Sequence, residues 1–466
     1  MKHIHLIGIG GSGLSAIARL LLESGYIVSG SDRQLTPIME QLQLSGARIM
    51  IGHHPDHIAG ADLVVRSSAV LSDNEEVVAA QAAGIPVLKR AELLTKLTTD
   101  KQVIAVSGTH GKTTTTSMLS WMLSSMGLEP SYLIGGISKN LGTNAHSGKG
   151  DFFVIEADEY DRMFLGLRPA IAVVTNIEHD HPDCFPTVND YFQAFMEFAK
   201  CVDKNGILVM CLDNPGSAEL FQQVKRQGMK TTTYGFYSSL GQVQPEYKAT
   251  DLILNESGSF QFRLCKYDNL LAKVSLKVPG EHNVQNAVAA LVVADQLKLS
   301  LEKAVQSLGE FLGTGRRFEV RGEVGGIIVI DDYAHHPSEI RATLAGARSR
   351  YPGQSVWAVW QPHTFSRTQL LFEEFTQAFE DADHVLVTEV FGAREESSNN
   401  FSAKRIVEAM EHPDATFISG VSEVPKYLLD RLSAGDILII LSAGDGVQIS
   451  TNFLEVLSQK RSAAHA

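Results

Sequence analysis

At 466 residues the chain is too long for one hydrophobic core and, at roughly 150 residues per domain, calls for about three. Its 44% hydrophobic and 20% charged residues are ordinary globular proportions and exclude wholesale disorder. A formal charge of −13 excludes a protein that coats nucleic acid, since that needs basic stripes, yet permits a local basic pocket for a small anion.

The opening run His3–Ile7 is short and passes directly into Gly8–Gly13, which predicts a strand and not a signal peptide. A helix follows from about Leu14 to Ser24, then a strand over Tyr26–Gly30 that ends at Ser31-Asp32. Leu63–Arg66 and Ile85–Leu88 predict further strands, and polar Thr98–Lys101 closes the unit after Leu97. The second unit opens with the strand Val103–Ser107, a new glycine loop and a helix to about Met126. Phe152–Glu156, Ile171–Thr175 and Ile207–Met210 predict buried strands. Between Asp251 and Val278 apolar and polar residues alternate, with Gly258 and Asn269 at turns, which predicts an antiparallel patch at the sheet edge. Helical spacing returns over Asn283–Leu297.

After Gly313-Thr314-Gly315 a third unit carries predicted strands at Ile327–Ile330, Val356–Trp360, His384–Thr388, Ala415–Ile418 and Ile437–Leu441. Ile340, Leu344 and Ala347 share one helix face between the first two. Gln459–Ala466 reads as a frayed tail. Strands alternating with helices imply an α/β fold in three domains, 1–97, 98–313 and 314–466. The first and third read as Rossmann-like, the second as P-loop ATPase-like. The four cysteines, Cys184, Cys201, Cys211 and Cys265, form no CxxC pair and predict reduced thiols. No apolar run nears the roughly 18 residues that span a bilayer. The expectation is a cytosolic protein with neither membrane nor nucleic-acid partners, a monomer or weak homodimer.

Two loops carry phosphate chemistry. Gly8-Ile9-Gly10-Gly11-Ser12-Gly13 fits G-x-G-x-x-G between strand and helix, and Asp32 stands where an acid holds a ribose hydroxyl. A dinucleotide and a UDP-sugar present the same pyrophosphate, and a purely structural turn is the bland alternative. Ser107-Gly108-Thr109-His110-Gly111-Lys112-Thr113 is sharper, although Val106 occupies the first-glycine position of the full P-loop pattern. Lys112 can reach the β and γ phosphates of a nucleotide, and Thr113 can ligate Mg²⁺. Glu156-Ala157-Asp158-Glu159 follows a buried strand, where a metal-side carboxylate belongs. Asn176–Asp183 adds His181 and further carboxylates, a hard donor set that suits Mg²⁺ beside phosphates better than zinc.

These motifs occur in order with Ser67-Ser68-Ala69, Arg90-Ala91-Glu92, Gly280–Asn283, Asn286-Ala287, Arg316–Glu319, Asp331–Pro337 and Gln361–Thr368. Over nearly the whole chain they resemble the Mur ligases, in particular those that add the first amino acid of the peptidoglycan stem. The resemblance implies an ATP-dependent amide-bond-forming enzyme of cell wall biogenesis, with Mg²⁺, that joins L-alanine to the carboxylate of UDP-N-acetylmuramate through an acyl phosphate. It implies that Gly108, Thr109, His110, Gly111, Lys112, Thr113 and Thr114 surround the ATP phosphates, and that Glu156 and His181 hold one metal each beside Thr113. His282 and Asn286 would meet adenine, Arg317 the phosphates or base, and Asp331 the ribose. Tyr333, His335, His336 and Arg367 would meet the incoming amino acid, with His335 or a nearby carboxylate as proton acceptor. Gly10, Gly11, Ser12, Gly13 and Asp32 would hold the UDP part, with Ser68 and Arg90 beside them.

Three positions depart from family patterns. Phe195 stands where ligases for later stem residues carry a carbamate-forming lysine. Thr364 replaces an arginine after Gln361-Pro362-His363. Tyr160 replaces a serine and is similar to the tripeptide-recycling ligase, which is therefore one rival reading. An NAD-dependent oxidoreductase is another; it rests on Gly8–Gly13 and Asp32 and leaves Lys112-Thr113 and Asp331–Pro337 without a role. A nucleotide-binding module without turnover is the third.

Overall fold

The computed structural model describes residues 2–241, 243–393, 395 and 401–465. Three sheets follow one another along the chain. The first has five parallel strands in the order Arg48–Ile51, Ile27–Asp32, His3–Ile7, Leu63–Arg66, Val87–Lys89. His3–Ile7 is buried throughout, as a central parallel strand covered on both faces must be. The chain leaves it in opposite directions, and the glycine loop lies at this switch point. The edge strand Arg48–Ile51 escapes sequence reading because it is short and no residue in it is fully buried. Expected Tyr26–Gly30 and Ile85–Leu88 are shifted to Ile27–Asp32 and Val87–Lys89.

The second sheet has ten strands. Gln102–Ser107 lies between Ile171–Val174 and Phe152–Glu156, all parallel, so both acidic and phosphate loops leave the same sheet edge. The alternating segment forms three antiparallel strands, Tyr247–Leu254, Phe260–Lys266 and Asn269–Ser275, at one end. The third sheet runs Glu319–Val324, Ile327–Asp332, Ile437–Ser442, Val356–Gln361, His384–Val387, Ala415–Phe417; only the first pairing is antiparallel. Glu319–Val324 was not anticipated, because its polar sequence lacks an apolar run. The last helix, Val447–His465, continues through the segment expected to fray. No helix among the described residues is long and apolar enough to cross a membrane.

The first two sheets share one apolar cluster, which runs from Leu6, Leu21 and Leu94 to Phe164, Phe195 and Leu208. The third sheet has clusters of its own around Trp360 and Leu438. Its junction with the second is made by polar side chains, and these shape the site.

Candidate active site

The phosphate loop is tight because its glycines permit it. Gly108 has φ +135°, and a Cβ there would lie 2.0 Å from the Thr175 hydroxyl; Gly111, at φ +80°, faces Asn286 in the same way at 2.6 Å. The helix Lys112–Ser125 begins without a side-chain cap, so its first N–H groups point to an incoming anion. Lys112 Nζ donates to Gly108 O at 2.5 Å, Thr109 O at 3.0 Å and Glu159 Oε1 at 3.0 Å. Burial pulls its pKa down, but Glu159, Asp158 and Glu156 more than compensate, so the ammonium ion is held charged. Thr113 Oγ1 donates to Glu156 Oε1 at 3.0 Å, and the Gly135 N–H to Oε2 at 2.6 Å. Burial nevertheless raises Glu156.

Three carboxylates thus surround one lysine, and the buried Glu159 Oε2 has no hydrogen-bond partner among the described residues. This surplus of hard, partly unsatisfied oxygen donors beside Thr113 fits a divalent cation. His181, at φ +55°, turns its Nε2 to within 3.8 Å of Glu159 Oε1 and 3.6 Å of Asp180 Oδ2. The metal candidates therefore fall into two neighbouring groups, Thr113 with Glu156 and His181 with Glu159 and Asp180. The 0%-exposed Phe195 packs edge-on to Phe164 and Tyr191 and has no chemistry to offer. Tyr191, one turn earlier, brings its hydroxyl to Glu159 Oε1 at 3.2 Å and to Thr109 Oγ1 at 3.0 Å.

A cavity of about 750 Å³ opens between the second and third sheets. His110, Gly111, Thr113, Thr114, His282, Asn286 and Arg317 line it; Gly108, Thr109 and Lys112 are not among its walls. Asn286 accepts from Thr115 and donates to Asn283, each at 3.1 Å. Burial, then Arg317, lowers His282 to about 4, leaving a neutral ring on the wall.

Asp331 does not reach this cavity. Side chains alternate along a strand, so Asp331 and Asp332 face opposite ways. Asp331 accepts from Ser450 at 2.9 Å and pairs with Arg321 at 3.3 Å behind the sheet, and burial raises it to about 6. Asp332 lines the cavity, accepting the Phe318 and Ala334 N–H groups at 2.7 and 2.8 Å. Of the two, the structure brings Asp332 and not Asp331, the expected ribose residue, to the cavity wall.

The third sheet's loops bring the remaining candidates against the second. The Tyr333 ring lies under Arg316 at 4.6 Å and Arg317 at 5.0 Å. His335 Nδ1 is 2.9 Å from the Tyr333 carbonyl, which can only accept, so Nδ1 carries the hydrogen and Nε2 the lone pair. Burial first, then Arg367 and His363 against Glu339 and Asp180, lower it to about 3. Such a ring is neutral and presents a lone pair at Nε2. Burial likewise lowers His336 to about 4. Arg367, 3% exposed, donates from Nε to Asp180 Oδ1 at 2.7 Å and from Nη1 to the His363 carbonyl at 3.3 Å. Thr364, at φ +66°, starts its helix without a side-chain cap.

Glu178, Asp180 and Glu339 organise this junction; the sequence offers the first two only as possible metal donors and gives Glu339 no role. Only Glu339, four residues after His335 in a helical first turn, left a local trace.

The first glycine loop is built differently. The Gly10 N–H donates to Asp32 Oδ2 at 2.9 Å, while Gly11 and Ser12 are exposed at the start of the helix Ser12–Glu23. A Cβ on Gly13 would lie 2.0 Å from the Arg90 guanidinium, so Arg90 covers the loop, and it also pairs with Asp158 at 3.1 Å. Exposed Ser68 sits in the turn whose Ser67 touches Gly8.

Three family models match in chain order: the Mur ligase family catalytic domain over residues 3–102, the Mur ligase middle domain over 106–294, and the Mur ligase glutamate ligase domain over 316–444. The UDP-N-acetylmuramate–L-alanine ligase of Geotalea daltonii is 41% identical over 462 residues, 98% of this chain and 99% of that protein. That of Geobacter sulfurreducens is 42% identical over 467 residues, 99% of each. Among solved structures, the UDP-N-acetylmuramate–alanine ligase of Thermotoga maritima is 28% identical with a TM-score of 0.83, covering 99% of this chain and all of that one. A murein peptide ligase from Psychrobacter arcticus, also 28% identical, gives 0.70 over 98% and 99%.

Proposed function

The chain belongs to the Mur ligase family, and from that premise we propose that it joins L-alanine to the carboxylate of UDP-N-acetylmuramate with the cleavage of ATP, in cytoplasmic peptidoglycan synthesis. One observation carries the reading. A phosphate loop with a charged lysine and two groups of metal donors faces, across a single interdomain junction, a neutral histidine and a buried arginine. The recycling ligase is not favoured, since at equal identity the solved alanine ligase superposes better than the murein peptide ligase. An oxidoreductase would leave this junction without a task.

The muramyl carboxylate attacks the γ-phosphorus of ATP to give an acyl phosphate and ADP. The alanine amine then attacks that carbonyl, and phosphate departs with the proton. Lys112 lies on loop carbonyls and Glu159, and its ammonium group offsets the anionic charge that phosphoryl transfer brings together. Thr113 and Glu156 would hold one Mg²⁺ ion and His181 a second; bound there, they neutralise phosphate charge. His282 and Asn286 flank the base and Asp332 the ribose. His335 Nε2 orients the amine, and Arg367 stands beside it for the amino-acid carboxylate. Arg90 and the helix behind Gly8–Gly13 hold the UDP diphosphate.

The test is phosphate release by the purified chain with ATP, Mg²⁺ and UDP-N-acetylmuramate, comparing L-alanine with L-alanyl-γ-D-glutamyl-meso-diaminopimelate. Release that depends on L-alanine is expected; preference for the tripeptide would overturn the assignment.

A further inference from the structure

We propose that His110 is a positioning residue that couples docking of the third domain to the geometry of the phosphate loop. The proposal rests on the ligase reading above and names a link that reading does not require.

His110 lies two residues before Lys112, and its backbone is fastened to the second sheet. Its N–H donates to Asn176 Oδ1 at 2.7 Å, and its carbonyl accepts from Thr175 Oγ1 at 2.6 Å. Its ring reaches elsewhere. Nε2 is 3.2 Å from Glu178 Oε2 in the second domain, and Nδ1 is 3.3 Å from Glu339 Oε1 in the third. The two ring nitrogens thus face one carboxylate of each domain, and a carboxylate oxygen can only accept, an arrangement that favours the protonated ring. Burial opposes that charge, yet Glu178 and Glu339 raise the pKa to about 9.

The third domain grips the same spot through one helix start. Ser338 Oγ donates to Glu178 Oε2 at 2.7 Å, and the His336 ring lies 4.6 Å from that of His110. The Ser338 N–H donates to His336 Nδ1 at 3.3 Å, so this second ring is an acceptor there and leaves the cation to His110. Glu339 also accepts from Arg317 Nη1 at 3.2 Å and from the His335 N–H at 3.1 Å. The phosphate loop, the cavity arginine and the His335 backbone therefore converge on one carboxylate. When the third domain leaves, Glu339, Ser338 and His336 leave together. His110 then keeps one of its two carboxylates, and the loop that presents Lys112 loses its outer support. Phosphoryl transfer is thereby tied to the presence of the amino-acid domain, which guards the acyl phosphate from water.

The experiment is a double-mutant cycle in the full chain with His110→Gln and Glu339→Gln. Each single change is expected to lower kcat about 10- to 100-fold, as for loss of a charge-assisted hydrogen bond, with a clearly smaller loss of affinity for a non-hydrolysable ATP analogue. The double variant should fall no more than about threefold below the weaker single. Losses that multiply, an unchanged kcat in either single variant, or nucleotide affinity falling in parallel with kcat would each overturn the coupling. Melting temperature controls for folding. Ser338→Ala, which removes one hydroxyl, should shift kcat in the same direction by less. Small-angle scattering with the ATP analogue separates this from the ligase reading, because it needs no turnover. Wild type should be compact and both single variants equally less so; variants as compact as wild type would sink the coupling. A wild type that docks normally but releases no phosphate with L-alanine would count against the ligase reading alone.

Discussion

The two glycine loops share a position, at the end of a central parallel strand and the start of a helix, but differ in the company they keep. Gly8–Gly13 exposes Gly11 and Ser12, is held by Asp32, and takes its cation from Arg90, a residue of another helix. Gly108–Thr113 carries its own cation, sinks it among three carboxylates and lies beneath a second domain. The first arrangement suits a ligand that is held; the second suits a phosphate that must be transferred. A glycine pattern alone thus tells of a pyrophosphate-sized turn, and the surrounding charges tell what happens there.

The contrast is open to mutation. The largest effect is expected for Lys112→Ala, which should cut turnover roughly 10²- to 10³-fold, the scale for losing one preorganised charge stabiliser, and leave UDP-N-acetylmuramate affinity intact. Calorimetry that finds both ligands lost from a folded protein would erase the distinction between the loops. Arg367→Ala should raise KM for L-alanine about 10- to 100-fold. Because Arg367 also neutralises Asp180, the three KM values decide its role: an equal rise for alanine, ATP and the UDP-sugar would make it a docking residue only. For the first loop, Arg90→Ala is expected to raise KM for the UDP-sugar about 10-fold, with nucleotide affinity unmoved. A change in ATP affinity instead would assign Arg90 to Asp158 and the second loop. The smallest effect separates neighbours: Asp332→Asn should raise KM for ATP about 2- to 10-fold, one neutral hydrogen bond, and Asp331→Asn should leave it unchanged. The reverse order would restore the ribose role to Asp331.

Much of this architecture is legible in the sequence. Short runs rich in β-branched and apolar residues, such as His3–Ile7, Val103–Ser107 and Ile437–Leu441, announce central parallel strands, and the first two lead to the glycine loops. Alternation marked the antiparallel edge around Phe260–Lys266. Arg48–Ile51 and Glu319–Val324 stayed hidden because edge strands need no apolar run. Asp331 and Asp332 are indistinguishable until the strand's facing is known. Glu178, Asp180 and Glu339 were invisible as partners for a different reason: their meaning lies in pairing with His110 and Arg367 across a junction, and local pattern carries no record of which distant charge arrives.

The Asp180–Arg367 pair has a bearing on release. Both side chains are 4% exposed, and the pair sits where the second and third domains meet. Two ions sealed from water forfeit their hydration, and mutual attraction only roughly makes that good. Separating the domains gives each ion its hydration back, which an oily seam could never do for its side chains. The clasp is strong in geometry and shallow in free energy, so the pair itself sets only a low electrostatic cost on parting the seam.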